Sequence, residues 1–178
     1  MLESIHNHNG TRALLLQLYS HICLKIRFTE CCWVKDLVLG GKLWEGKGKS
    51  VGTGTIKSVG MDGVISEYSW TAQVKGLGRA EGIDGNIHVT AIMTGPLKGV
   101  PESKDQGIFM MMSGEMVLLK GSDLMKMEEG GNPAAVGLWH FMTSSEKLGW
   151  MNSLVALVTF EALDPMWMES TITIYEWQ

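Results

Sequence analysis

An alternation of period two, broken at short intervals by glycine-containing pairs, runs through this chain from Leu43 onward and leaves it few folds. Val64, Tyr68, Trp70, Ala72 and Val74 alternate with Glu67, Ser69, Thr71, Gln73 and Lys75. Ile87, Val89, Ala91 and Met93 alternate with His88, Thr90 and Thr94. In an extended backbone successive side chains leave on opposite faces, so each run has one apolar and one polar face. Asp84-Gly85 lies between the two runs and accepts the positive φ of a tight hairpin turn, which predicts that they pair antiparallel. Further strands are predicted at Gly46 to Val59, Gly107 to Ser113, Glu115 to Met127, Ala135 to Thr143, Ser153 to Leu163 and Met168 to Trp177. Asp62-Gly63, Ser113-Gly114 and Asp164-Pro165 are turn-forming pairs between them.

Eight strands with no helix of crossover length between them exclude a parallel sheet. Closing such a meander removes the edges that would otherwise pair with other chains. The expected fold class is therefore all-β, a closed antiparallel meander barrel of about eight strands, with a two-sheet sandwich as the alternative. A chain of 178 residues with 45% hydrophobic residues can bury a core without a disulfide or a metal. Its net charge of −4 leaves no basic footprint for nucleic acid, so no nucleic-acid partner is expected. Ala13 to Leu24 is the longest apolar stretch and is interrupted by Gln17, Ser20 and His21, too short for a membrane-spanning helix. Glu3 and the closing Lys25-Ile26-Arg27 do not suit a signal peptide. The odd set of Cys23, Cys31 and Cys32 fits a reducing, cytoplasmic setting.

Residues 1–34 differ from the remainder. Of 22 glycines, 21 lie at or beyond Gly40, whereas all three cysteines and three of five histidines come earlier. Leu15, Leu18, Tyr19, Ile22 and Ile26 recur at helical spacing from near Thr11, so this N-terminal extension is either a short amphipathic helix or disordered. Residues 35–178 form the barrel domain. His6, His8, His21, Cys23, Cys31 and Cys32 could each bind a soft metal, but none has the Cys-x-x-Cys spacing of a structural zinc site, and no metal or other cofactor is expected. One helical interruption is predicted within the barrel. Thr143-Ser144-Ser145-Glu146 matches a capping box, which starts a turn from Ser144 to Met151 with Leu148 and Met151 on one side, plugging a barrel end.

Glu45-Gly46-Lys47-Gly48-Lys49, Gly114-Glu115-Met116, Thr143 to Leu148, Asn152 and the closing Glu176-Trp177 together resemble a family of small uncharacterised archaeal and bacterial proteins. The resemblance covers nearly everything after Trp44 and implies a β-barrel, but no catalytic residues. The strand pattern is also similar to the barrels of lipocalins and allene oxide cyclases. Met110-Met111-Met112 and Pro96 to Asp105 stand out as insertions against this pattern.

Gly48-Lys49-Ser50 imitates the end of a phosphate-binding loop, but Leu43 stands where that loop needs glycine, and a strand follows instead of a helix. Of the titratable residues in or beside strands, Glu67, Arg79, Glu81, His88, Glu115 and Lys120 are expected to face water. His140 shares strand parity with Leu138 and Met142 and is expected to be a hydrogen-bonded core histidine or a proton-transfer group facing a cavity. The 13 methionines and seven tryptophans carry the functional hint, since thioethers and aromatic walls can line an adaptable apolar cavity or fill a core. The ligand-binding candidates are Trp70, Met93, Met110, Met112, Trp139, His140 and Phe141.

Three functions follow as expectations. The first is binding of a small apolar ligand. The second is a cofactor-independent isomerase or cyclase, favoured if His140, Glu115 or another carboxylate points into a cavity beside a second polar group, with a perturbed pKa. The third is an oligomeric module, with Trp33, Trp44, Trp167 and Trp177 outside the core.

Overall fold

A computed structural model describes residues 39–177 except 53, 129–130 and 165–166. The expectations placed on residues 1–34, and Trp33, therefore lie outside the described residues. The described chain forms nine strands: β1 (Leu39–Ser50), β2 (Thr55–Gly60), β3 (Gly63–Gly76), β4 (Gly85–Gly95), β5 (Glu102–Met111), β6 (Met116–Met127), β7 (Pro133–Met142), β8 (Val155–Ala162) and β9 (Ser170–Trp177). Each pairs antiparallel with its sequence neighbour from β2 onward, and β1 closes the ring by pairing with both β9 and β3. The result is an eight-stranded closed barrel with β2 as an extra strand against β3. The only helical segments among the described residues are short 3-10 turns at Gly78–Ala80 and Gly149–Ser153.

Three predicted boundaries are corrected. The single strand expected from Gly46 to Val59 is two, because β1 lies against Trp70–Gly76 of β3, and β2 against its Gly63–Glu67 end. The break falls at Val51–Gly54, where the backbone crosses the Tyr68 ring so closely that a Cβ on Gly54 would lie 2.3 Å from it. Asp84-Gly85 is not a tight turn: the link from β3 to β4 spans Leu77 to Asp84, and Asp84 Oδ1 accepts from the Gly76 N–H at 2.8 Å. Gly85 is needed for close strand approach, since a Cβ there would meet the Met110 carbonyl oxygen at 2.3 Å. Finally, the strand expected from Gly107 begins earlier, at Glu102, so that Glu102–Asp105 belongs to β5.

Trp44 anchors the core at one end. It is 0% exposed, meets Phe109 edge-on at 5.5 Å, stacks on Trp150 at 6.0 Å and donates its indole N–H to the Ile83 carbonyl at 2.9 Å. The expectation that Trp44 lies outside the core is thereby corrected. Leu148 and Met151 are buried in the core cluster at this end, as the sequence pattern anticipated, and Leu154 joins them. The cap itself is different. Thr143 Oγ1 accepts from the Ser145 N–H two residues on and donates to the Met116 carbonyl, while the Asn152 carboxamide bonds both the N–H and the carbonyl of Thr143. The helical turn is 3-10, begins at Gly149 and has no side-chain cap. A hydroxyl beside a turn competes for local backbone groups, and here the Asn152 carboxamide oxygen accepts from the Thr143 N–H, the bond that a capping box would assign to Glu146.

Candidate functional site

Inward parity runs through Ser66, Tyr68, Trp70, Ala72 and Val74 on β3 and through Gly85 to Met93 on β4. It continues through Ser103 to Met111 on β5, Val117 to Met125 on β6 and Ala135 to Phe141 on β7. Side chains fill the plugged end and the middle. The other end holds a recess walled by Tyr68, Trp70, Trp139, Phe160 and Trp167, with Met93 and Met125 opposite. The aromatic wall is continuous: Tyr68 stacks on Trp167 at 5.3 Å, Trp167 meets Phe160 at 6.0 Å, Phe160 meets Trp70 at 5.8 Å and Trp70 stacks on Trp139 at 6.0 Å. Trp167 sits at φ +59°, a left-handed conformation that a bulky side chain rarely adopts. The Asp164 carboxylate accepts from the N–H groups of Met168 and Glu169, the two residues that follow Trp167.

Two carboxyl groups form the polar part of the recess. Asp105 on β5 is buried and accepts from Ser103 Oγ at 3.1 Å and from the Trp139 indole N–H at 3.0 Å. Asp123 on β6 is only partly buried as a residue, yet its Oδ1 is shut off from solvent and has no hydrogen-bond partner. Burial, then the Asp105 charge and a hydrogen bond shared with it, push the Asp123 carboxyl well above the usual carboxylate range. Asp123 thus holds its proton to higher pH than an ordinary carboxyl, and the two acids form a dyad in which it is held back from ionising.

Glycines make the room. Asp105 faces Gly121, which faces Trp139, and Ser103 faces Asp123, which faces Gly137. A Cβ on Gly121 would lie 2.0 Å from the Trp139 ring, and one on Gly137 would lie 1.6 Å from Asp123 Oδ1. With hydrogen in place of a side chain, the Trp139 indole crosses Gly121 to reach Asp105, and the Asp123 carboxyl lies over Gly137. No lysine, arginine or histidine lines the recess among the described residues, so nothing there offsets the charge of an anionic ligand.

Of the candidates drawn from the sequence, Trp70, Met93 and Trp139 line the recess. Phe141 is buried at the plugged end, 6.0 Å from Trp44, and takes no part in the recess. Met110, Met112 and His140 face outward: Met110 is 44% and Met112 72% exposed, and His140 is exposed. His140 is thus neither a core histidine nor a cavity group, because β7 turns Trp139 and Phe141 inward and the residue between them outward. Glu115 stands on an outer turn, where the Ser113 hydroxyl and then the Lys147 ammonium hold it below the usual carboxylate range. Sequence reasoning missed Asp105 and Asp123. The available signal was their parity with Phe109 and with Val117 and Leu119.

No protein-family model matches the sequence, and no curated protein matches it. Solved structures share its fold. A β-barrel-like protein from Acinetobacter baumannii superimposes with a TM-score of 0.66 at 14% identity, over 80% of this chain and 97% of that one. A protein of unknown function from Clostridium acetobutylicum gives 0.67 at 11%, over 81% and 99%. An enzyme from Penicillium herquei gives 0.58 at 18%, over 80% and 95%. The chain is therefore similar to bacterial β-barrel proteins, and identities this low carry the fold and not the chemistry.

Proposed function

We propose that the recess binds a small, neutral, mostly apolar molecule and that the carboxyl pair moves a proton on it, in the manner of a cofactor-independent isomerase or cyclase. The observation that carries this reading is Asp123, a buried carboxyl lining the aromatic recess beside Asp105 and holding its proton to higher pH than an ordinary carboxyl. A carboxylic acid that keeps its proton at neutral pH can serve as a general acid, and a carboxylate beside it as a general base. Asp123 donates to a carbonyl oxygen while Asp105, oriented by Ser103 and Trp139, takes a proton from the adjacent carbon; the reverse transfer at a different carbon completes an isomerisation. That one protein of this fold is an enzyme is compatible with the reading.

The free space is about 30 Å³, room for one or two water molecules, so a ligand of ordinary size needs Trp167 and the methionines to move aside. A direct test follows deuterium incorporation from heavy water into 2-tetralone, a neutral bicyclic ketone with enolisable hydrogens, by NMR. The expected result is catalysed exchange that falls on the order of 100-fold or more in Asp123→Asn. Exchange equal in the wild type and the variant would refute the proposal.

A further inference from the structure

Among the described residues, two buried side-chain polar atoms lack a hydrogen-bond partner, Asp123 Oδ1 and Ser66 Oγ. They belong to one transverse row of the barrel wall. Ser66 on β3 pairs with Met93 on β4, Met93 with Ser103 on β5, and Ser103 with Asp123 on β6. The three residues following Ser66 in this row all line the recess. Ser66 itself is 3% exposed and shares the inward parity of Tyr68 and Trp70, which also line the recess. A buried polar atom without a partner is rare enough in a folded protein to need a cause, and two in one row beside a cavity point to a shared one.

We infer that Ser66 is the second polar contact of the ligand site, reached when the flexible Met93 side chain swings aside, and that the ligand is an elongated neutral molecule with a hydroxyl or carbonyl group at each end. This rests on the recess being the ligand site. Three strand spacings of about 4.8 Å separate the two residues, roughly 14 Å along the wall and less across its curve. Hydrogen bonds of about 2.8 Å at each end leave a span that a two-ring skeleton fills. Met93 suits the role of gate because an unbranched thioether changes rotamer with little obstruction. The aromatic wall from Tyr68 to Trp139 would lie along the rings between the two ends.

The probes are 2,6-dihydroxynaphthalene, which has two polar ends, and 2-naphthol, which has one, each titrated by calorimetry against wild type, Ser66→Ala and Ser66→Thr. In the wild type the diol is expected to bind about tenfold more tightly than the mono-ol. Ser66→Ala should remove that preference by weakening the diol alone and leave 2-naphthol within about twofold, and Ser66→Thr, which keeps the hydroxyl, should restore part of it. A preference unchanged in Ser66→Ala, or a crystal structure of the diol complex with Ser66 bonded only to an ordered water, would overturn the assignment of Ser66 and leave the recess reading intact. Binding of neither probe to the wild type would overturn both. Thermal unfolding of Ser66→Ala at or above the wild-type temperature would confirm that the affinity loss is not a folding defect.

Discussion

Replacing Asp123 by asparagine separates the carboxyl dyad from an ordinary pair of surface acids through its effect on stability against pH. In the unfolded chain Asp123 releases its proton near 3.8; in the native barrel burial and the neighbouring Asp105 hold the proton to higher pH. Between those two values the native state binds more protons than the unfolded state, so raising the pH through this window destabilises the wild type. The slope for one such group is about 1.4 kcal/mol per pH unit. Asparagine cannot titrate, keeps a donor toward Asp105 and removes that slope. The stability of Asp123→Asn relative to wild type should therefore rise from pH 4 upward and level off above the native Asp123 pKa, groups remote from the pair cancelling in the difference. Urea unfolding followed by circular dichroism at half-unit steps from pH 4 to 8 measures it. A difference that stays flat over this range would show that Asp123 ionises like a solvated carboxylate, and the acid–base argument would fall with it.

Three further outcomes follow from the geometry. Gly137→Ala drives a methyl group into Asp123 Oδ1, so 2-tetralone exchange should drop at least tenfold, with a stability loss of about 1–3 kcal/mol on urea unfolding. Trp44→Ala empties the plugged end and orphans the Ile83 carbonyl; a loss of about 3–5 kcal/mol is expected in the same assay, and a loss under about 1 kcal/mol would show that this packing does not hold the barrel closed. Thr143→Ala breaks the bonds to Ser145 and Met116 and should lower stability by about 1 kcal/mol, whereas Lys147→Ala, whose exposed side chain meets Glu115 at 3.5 Å, should stay within about 0.5 kcal/mol; equal losses would refute the assignment of the Thr143 turn.

The barrel was legible because strand parity is a local property. Trp70 is bracketed by Ser69 and Thr71, polar residues that fix which way it points. The methionine triplet has no such bracket, and of Met110, Met111 and Met112 only Met111 turns inward. His140 misleads for the same reason: Leu138 and Met142 suggest an apolar face, but the larger Trp139 and Phe141 claim the interior. The dyad was hidden in another way. Glu102 to Gln106 contains no large apolar residue, so its alternation does not show, and the strand is recognisable only from Gly107 onward. Nothing near Asp123 in sequence reveals that Gly137, fourteen positions on, vacates the space its carboxyl occupies. A site made by glycines on neighbouring strands depends on register, and register is settled by the closed ring as a whole.

The two ends of the barrel divide stability from strain. At the plugged end the buried indole of Trp44 is hydrogen-bonded and packed on three rings, and among the described residues no buried side-chain polar atom there lacks a partner. The left-handed Trp167, the unpartnered Ser66 Oγ and Asp123 Oδ1, and the Asp123 carboxyl pushed up beside Asp105 all fall at the open end. Each unpartnered buried group costs about 1–3 kcal/mol, and such costs persist only where the surrounding structure can absorb them. The antiparallel ring and the Trp44 cluster are that surrounding structure. Substitutions that relieve the open end, Asp123→Asn and Ser66→Ala, are therefore expected to hold or raise stability at neutral pH while lowering ligand recognition or proton transfer. Substitutions in the Trp44 cluster cannot show that opposition, because every contact there already favours the folded state.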